Sequence, residues 1–345
     1  MVAPRIWIAL GPLLTTTLGF GGADSGLRKR VAGIGYASYQ GVDTYGDATS
    51  YLGIPYAEPP LGDLRFRAPK ALDATRVSRE TGGSVVDATQ YPDPCIQGAL
   101  SSEPRCPVMA TPSDPIFTGA RTGGDRGGAG SEDCLKVNIY TPSQATAGSN
   151  CKPEFFALHR SRRSTHRARF LVPVLFYIHG GGYRYGNPAN FPFDHWVHQS
   201  QEVVIVSVYY RLSAFGFLSH PDFASGAIAD NNVGFLDQVE ALKWVKGYIQ
   251  HFGGDPDNIT INGESAGGAS VLLHLVSTGG KVFKQAISQS LYDGYMPTLD
   301  QQKDLFDYFA AKAGCGTGNV AMTVACLREA SVRALAIAQD AAQWS

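Results

Sequence analysis

The stretch Gly263-Glu264-Ser265-Ala266-Gly267-Gly268 follows the apolar run Ile259-Thr260-Ile261 and leads into Ala269, Val271, Leu272 and Leu273. A short strand, a sharp turn permitted by small residues and then a helix is the setting that a nucleophilic serine requires. Such a turn lifts the Ser265 hydroxyl off the end of a sheet, and the free N–H groups of the helix start face the reacting centre. In a chain with 40 glycines the bare Gly-x-Ser-x-Gly pattern says little, so the flanking strand and helix carry the reading. A second motif joins it. His179-Gly180-Gly181-Gly182-Tyr183 follows Val172–Ile178, which reads as a buried strand. Its glycines leave backbone N–H groups bare of side chains, and such a loop can aim two of them at one oxygen to form an oxyanion hole. Three glycines alone also fit a flexible loop. The serine turn downstream, in the right chain order, favours the oxyanion hole.

These residues need a sheet to hold them. Val203-Val204-Ile205-Val206-Ser207-Val208-Tyr209 is β-branched and apolar, as a central parallel strand buried on both faces would be. Phe235, Leu236, Val239, Leu242, Val245, Ile249 and Phe252 recur at helical spacing, and Gly253 and Gly254 end that helix. Gln285 to Ser288 reads as a further strand. Strand, helix, strand, serine turn, helix is a doubly wound α/β pattern.

An apolar fraction of 44% supplies a sizeable core, and the chain is read as one domain despite its 345 residues. The formal net charge is −1, and no basic face of the density that nucleic acid demands covers the chain, so no nucleic-acid partner is expected. No zinc-type His/Cys spacing occurs, and no cofactor or metal is expected. Arg5 followed by the apolar Ile6 to Phe20 and the small residues Gly21, Gly22 and Ala23 reads as a signal peptide over residues 1–23. A buried N-terminal element is the alternative. Gly11 and Pro12 break the run, which is short for a membrane span. A secreted, extracellular protein fits six cysteines, which can pair in an oxidising compartment.

With these motifs in place, the chain resembles the type B carboxylesterases, the family that includes the cholinesterases. The resemblance runs through Leu52 to Phe66, Ser131 to Tyr140, the His179 to Tyr183 loop, Tyr210-Arg211-Leu212, Asn232 to Gln238 and Phe252 to Pro256 to the serine turn. It covers most of residues 35–290. It implies an α/β-hydrolase fold, with a mostly parallel doubly wound sheet over residues 24–345, incomplete at its C-terminal side. It implies a carboxylic ester hydrolase acting on small-molecule esters through an acyl-enzyme. Ser265 is then the nucleophile, and the N–H groups of Gly181, Gly182 and Ala266 are the oxyanion donors. Glu264 either tunes the field beside the nucleophile or simply favours the helix start. Ser290 either braces the site or is an ordinary buried serine.

The resemblance also implies two disulfides, Cys95–Cys134 and Cys315–Cys326, leaving Cys106 and Cys151 without assigned partners. The segment between Cys95 and Cys134 has no tryptophan. In cholinesterases that loop supplies an aromatic face for a quaternary ammonium, so a choline ester is not the expected substrate.

Two departures from the family stand out. After Ser265 the only histidine is His274, on the helix that the serine turn starts. His195, His198, His220 and His251 precede the serine. The family's triad acid and histidine fall far beyond the elbow, so neither is expected among these 345 residues. Loss of triad members costs on the order of 10⁴–10⁶ in turnover. The expectation is a chain that is poorly soluble and essentially inactive by itself. The second departure is a basic insert at residues 151–169, with five arginines. It reads as translated non-coding sequence, as a solvated loop, or as a patch for an acidic partner. A catalytically dead binding protein on the same fold is the competing function, but such relatives usually lose the serine, which is intact here.

Overall fold

The computed structural model describes residues 28–98, 130–145, 171–279, 281–291, 296–316 and 318–342. The signal-peptide reading of residues 1–23, the insert at 151–169, Cys106 and Cys151 lie outside them.

Among the described residues nine strands form one sheet. They are β1 (Lys29–Gly33), β2 (Ser38–Thr44), β3 (Ala48–Pro55), β4 (Val85–Asp87), β5 (Lys136–Pro142), β6 (Val172–Ile178), β7 (Val204–Val208), β8 (Gly254–Glu264) and β9 (Gln285–Gln289). Their order is β1-β2-β3-β5-β7-β6-β8-β9, with β4 beside β2. The half that carries the site, β7-β6-β8-β9, is parallel, as the alternation of strands and helices requires. The half made by β1, β2, β3 and β5 is antiparallel, because short turns join its first three strands. The sheet is therefore mixed, and the mostly parallel arrangement expected from the sequence is confined to the half made by β7, β6, β8 and β9.

Around the sheet lie α1 (Ala74–Thr81), α2 (Asp194–Gln199), α3 (Ser213–Phe217), α4 (Val233–Tyr248) and α5 (Ala266–Thr278). The helices α6 (Lys303–Lys312), α7 (Val320–Glu329) and α8 (Val332–Ala342) follow. All of β7 is buried, so it is covered on both faces as its β-branched run implied. Leu242, Val245, Ile249 and Phe252 are fully buried, the last two in a 3-10 turn that extends α4. Phe235, Leu236 and Val239 are only half-buried. Asp237 and Gln238 take the core-facing places there, so the apolar stripe read from the sequence is interrupted by polar side chains. Gly253, at φ 87°, ends the run in a left-handed conformation that suits glycine.

Helices α6–α8 build a second core from Phe306, Phe309, Leu327 and Leu335 against Phe66, Phe215 and Phe223. Arg65 joins this core to the rest. Its Nη1 donates to the carbonyls of Leu327, Arg328 and Ala330 at 3.0, 2.7 and 2.8 Å, at the C-terminal end of α7. Its other two nitrogens hold both oxygens of Glu132 at 2.7 Å. A cation at the negative end of a helix is favourably placed. Disulfides join Cys95 to Cys134 and Cys315 to Cys326, the two pairs that the family resemblance implied.

Among the described residues β9 forms one edge of the sheet, and all five of its residues are exposed. Among the described residues no helix is long and apolar enough to cross a membrane.

Candidate active site

β8 ends at Glu264 and α5 begins at Ala266, so Ser265 is the whole turn between them. Its backbone sits at φ 56°, ψ −120°, a region that a residue with a Cβ enters only under strain of about 1–3 kcal/mol. Two main-chain bonds hold it there. The Ser265 N–H donates to the Gln289 carbonyl at 3.0 Å, and the Ser265 carbonyl accepts the Ala269 N–H at 2.9 Å. The turn also needs a close approach. A Cβ on Gly267 would run into the Ile178 carbonyl at the end of β6, so a small residue there lets α5 start against the sheet. The Ser265 side chain remains half-exposed.

The glycine loop leaves β6 directly beside this turn. A Cβ built on Gly180 would lie 3.0 Å from the Ser265 Cβ. The two sequence motifs, more than eighty positions apart in the chain, are thus in contact. The loop folds back on itself, with the Gly181 carbonyl accepting N–H groups of Arg184 at 3.0 Å and Tyr185 at 3.1 Å. The Tyr183 hydroxyl reaches the Ser270 hydroxyl at 3.1 Å and ties the loop to α5. Among the described residues none of the backbone bonds of this loop is donated by the N–H of Gly181 or Gly182. Ala266, at the first position of α5, has no helical carbonyl to bond either.

Other singled-out residues are placed as follows. Glu264 is exposed at the end of β8. Burial first, and the Glu264 charge second, push the Tyr177 hydroxyl up to about 12. Ser290 is exposed at φ 46°, because it follows the edge strand, so the reading of it as an ordinary buried serine does not hold. His274 is fully buried on α5 with its ring 4.6 Å from that of Phe235, and burial pushes it down to about 4. His179 is buried against Tyr210. Among the described residues no cluster of His, Cys, Asp and Glu could hold a metal ion.

Several contacts around the site were not read from the sequence. The buried pair of Arg211, in the segment that follows β7, with Asp237 of α4 is the clearest. An aspartate among the core-facing positions of an apolar helix is the signal that could have revealed it, since a buried charge needs a partner.

A strained serine between a parallel strand and a helix, beside a glycine loop from the neighbouring strand, defines an α/β-hydrolase fold. The family model of the carboxylesterase family matches residues 30–344, and the chain belongs to that family. It is 35% identical to carboxylesterase 1F of Mus musculus over 282 residues, 81% of this chain and 42% of that protein. It is 32% identical to the chlorogenic acid esterase of Aspergillus niger over 296 residues, 84% of this chain and 49% of that protein. Among solved structures, Aspergillus niger EstA matches with a TM-score of 0.69 at 32% identity, covering 90% of this chain and 50% of EstA. A PNB esterase matches with a TM-score of 0.66 at 29% identity, covering 90% of this chain and 53% of its own. The chain spans about half the length of the curated relatives it matches.

Proposed function

We propose that this chain carries the nucleophile and the oxyanion hole of a serine carboxylic ester hydrolase. The observation that carries the reading is the contact of Gly180 with the strained Ser265. In the proposed reaction the Ser265 oxygen attacks the ester carbonyl carbon. The N–H groups of Gly181, Gly182 and Ala266 bond the oxygen that becomes negative. Each such donor contributes about 2.7–4 kcal/mol to the rate. The tetrahedral species expels the alcohol and leaves an acyl-enzyme, which water then cleaves to the carboxylic acid.

Ser265 must lose its proton to a base as it attacks. The two histidines nearest in sequence to the motifs are engaged elsewhere, His179 with the Gly180 carbonyl and His274 against Phe235. Neither ring is placed to take that proton, and the proposal assigns no base or orienting acid among the described residues. The substrates are small-molecule esters by membership of the family. The two disulfides fit an oxidising compartment, and secretion is the proposed location.

A fluorophosphonate probe tests the reading, because the serine oxygen displaces fluoride from phosphorus and stays bonded. The protein isolated from its native source is expected to carry the label on Ser265, and Ser265→Ala is expected to carry none. A native protein that stays unlabelled while binding a partner would favour the dead binding protein instead.

A further inference from the structure

Each proposed oxyanion donor belongs to a peptide whose carbonyl is already held. In a planar trans peptide the C=O and the following N–H point in opposite directions. Whatever captures the carbonyl therefore aims the N–H. The Ser265 carbonyl is held by the Ala269 N–H inside α5, which aims the Ala266 N–H out of the helix start. The Gly181 carbonyl is held by the N–H groups of Arg184 and Tyr185, which aims the Gly182 N–H. Both of these clamps are backbone. The third is a side chain, since His179 Nδ1 lies 2.8 Å from the Gly180 carbonyl oxygen. A carbonyl only accepts, so Nδ1 carries the proton.

The His179 ring is fixed on both sides. It stacks on Tyr210 with ring centres 4.4 Å apart and planes 20° from parallel. On another side it meets Gly186, where a Cβ would collide with the ring. The Tyr210 hydroxyl donates to the His179 carbonyl at 2.7 Å and holds the preceding peptide as well. Burial pushes the imidazole down to about 4, so at neutral pH the ring is uncharged and has a single N–H to give.

Resting on the reading of Ser265 as nucleophile, we infer that His179 is a positioning residue for the oxyanion hole. Its Nδ1–H holds the Gly180 carbonyl so that the Gly181 N–H faces the oxygen bound at Ser265, and Tyr210 holds His179. An apolar side chain of similar size would fill the same space and leave the Gly180 carbonyl without its donor. The peptide would then rotate toward another donor and carry the Gly181 N–H away from the hole, because an unsatisfied carbonyl in a crowded site is costly.

Phenylboronic acid is the probe. Its boron takes the Ser265 oxygen, the serine proton goes to solvent, and the resulting anionic boronate oxygen occupies the hole. Affinity is measured for the wild type, Ser265→Ala, His179→Leu and His179→Asn, with thermal midpoints alongside. Asparagine carries an N–H where Nδ1–H lies. His179→Leu is expected to weaken binding on the order of 10²-fold, the size of losing one donor. His179→Asn is expected to restore most of it at a thermal midpoint no higher than that of His179→Leu. Equal affinity in wild type and His179→Leu overturns the inference, and so does equal weakness in the leucine and asparagine variants. The ¹⁵N shifts of the His179 ring are recorded on the wild type in parallel. If the boronate fails to bind, or binds Ser265→Ala equally, the hydrolase reading falls and the ring spectrum alone decides: a proton on Nδ1 upholds the clamp, and one on Nε2 ends it.

Discussion

Arg211 and Asp237 form a two-pronged ion pair sealed from solvent, with Nη2 2.7 Å from Oδ1 and Nε 2.8 Å from Oδ2. The same Oδ2 accepts the Arg211 backbone N–H at 3.0 Å. The pair joins α4 to the segment that follows β7, one residue after Tyr210. Breaking one side leaves a charge stranded in the core. Asp237→Ala is expected to cost about 3–5 kcal/mol, read as a lower urea midpoint. Replacing both partners with apolar residues of similar volume is expected to recover most of that. A double variant as unstable as the single one would mean that the pair does more than neutralise itself.

The strain at Ser265 gives opposite expectations for two substitutions that both remove the hydroxyl. Ser265→Ala keeps a Cβ in the φ 56° turn. Ser265→Gly releases it, at some cost in chain entropy. The glycine variant is expected to be the more stable by about 1 kcal/mol in chemical denaturation. The reverse order would show that the turn is not strained.

His179 and His274 are both pushed by burial from 6.5 down to about 4. The unfolded chain therefore binds more protons than the native one between those pH values, and stability falls as pH falls through that window. It is fully present above the unfolded value. Each histidine contributes about 3 kcal/mol across the whole window, at about 1.4 kcal/mol per unit. Urea midpoints measured from pH 7 to pH 4 are expected to fall steeply. In His274→Leu the slope assigned to these two residues should be about half. An unchanged slope in that variant would remove His274 from the account.

Among the described residues no strand pairs with the outer side of β9, and this edge is expected to drive self-association. Ile287 on this strand is 46% exposed, and α5, which packs on it, exposes Leu275 and Val276. Unpaired strand edges with apolar side chains recruit other chains. Ile287→Lys is expected to lower light scattering at equal concentration without altering the far-ultraviolet circular dichroism. Scattering that stays the same would place the sticky surface elsewhere.

Much of the site was legible along the chain because its constraints are local. A serine between an apolar run and a helical run, and glycines after a strand, are dictated by turns of a few residues. The disulfide pairs and the strand that became β9 were likewise readable, the former through family resemblance. The antiparallel character of the first half of the sheet was not, because strand direction depends on which neighbour a strand finds. Long-range polar partners were also hidden. Nothing within reach of Asp237 in sequence shows that Arg211 will neutralise it, and nothing in His179 shows that Tyr210 will hold it. The sequence by itself determined that Ser265 would sit in a sharp turn and that Gly181 and Gly182 would leave bare amides. Only the tertiary structure decided that Gly180 meets the Ser265 Cβ and that the carbonyls of Gly180, Gly181 and Ser265 are each captured. Those relations arise when parallel strands β6 and β8 lie side by side, and their hydrogen bonds join residues distant in the chain.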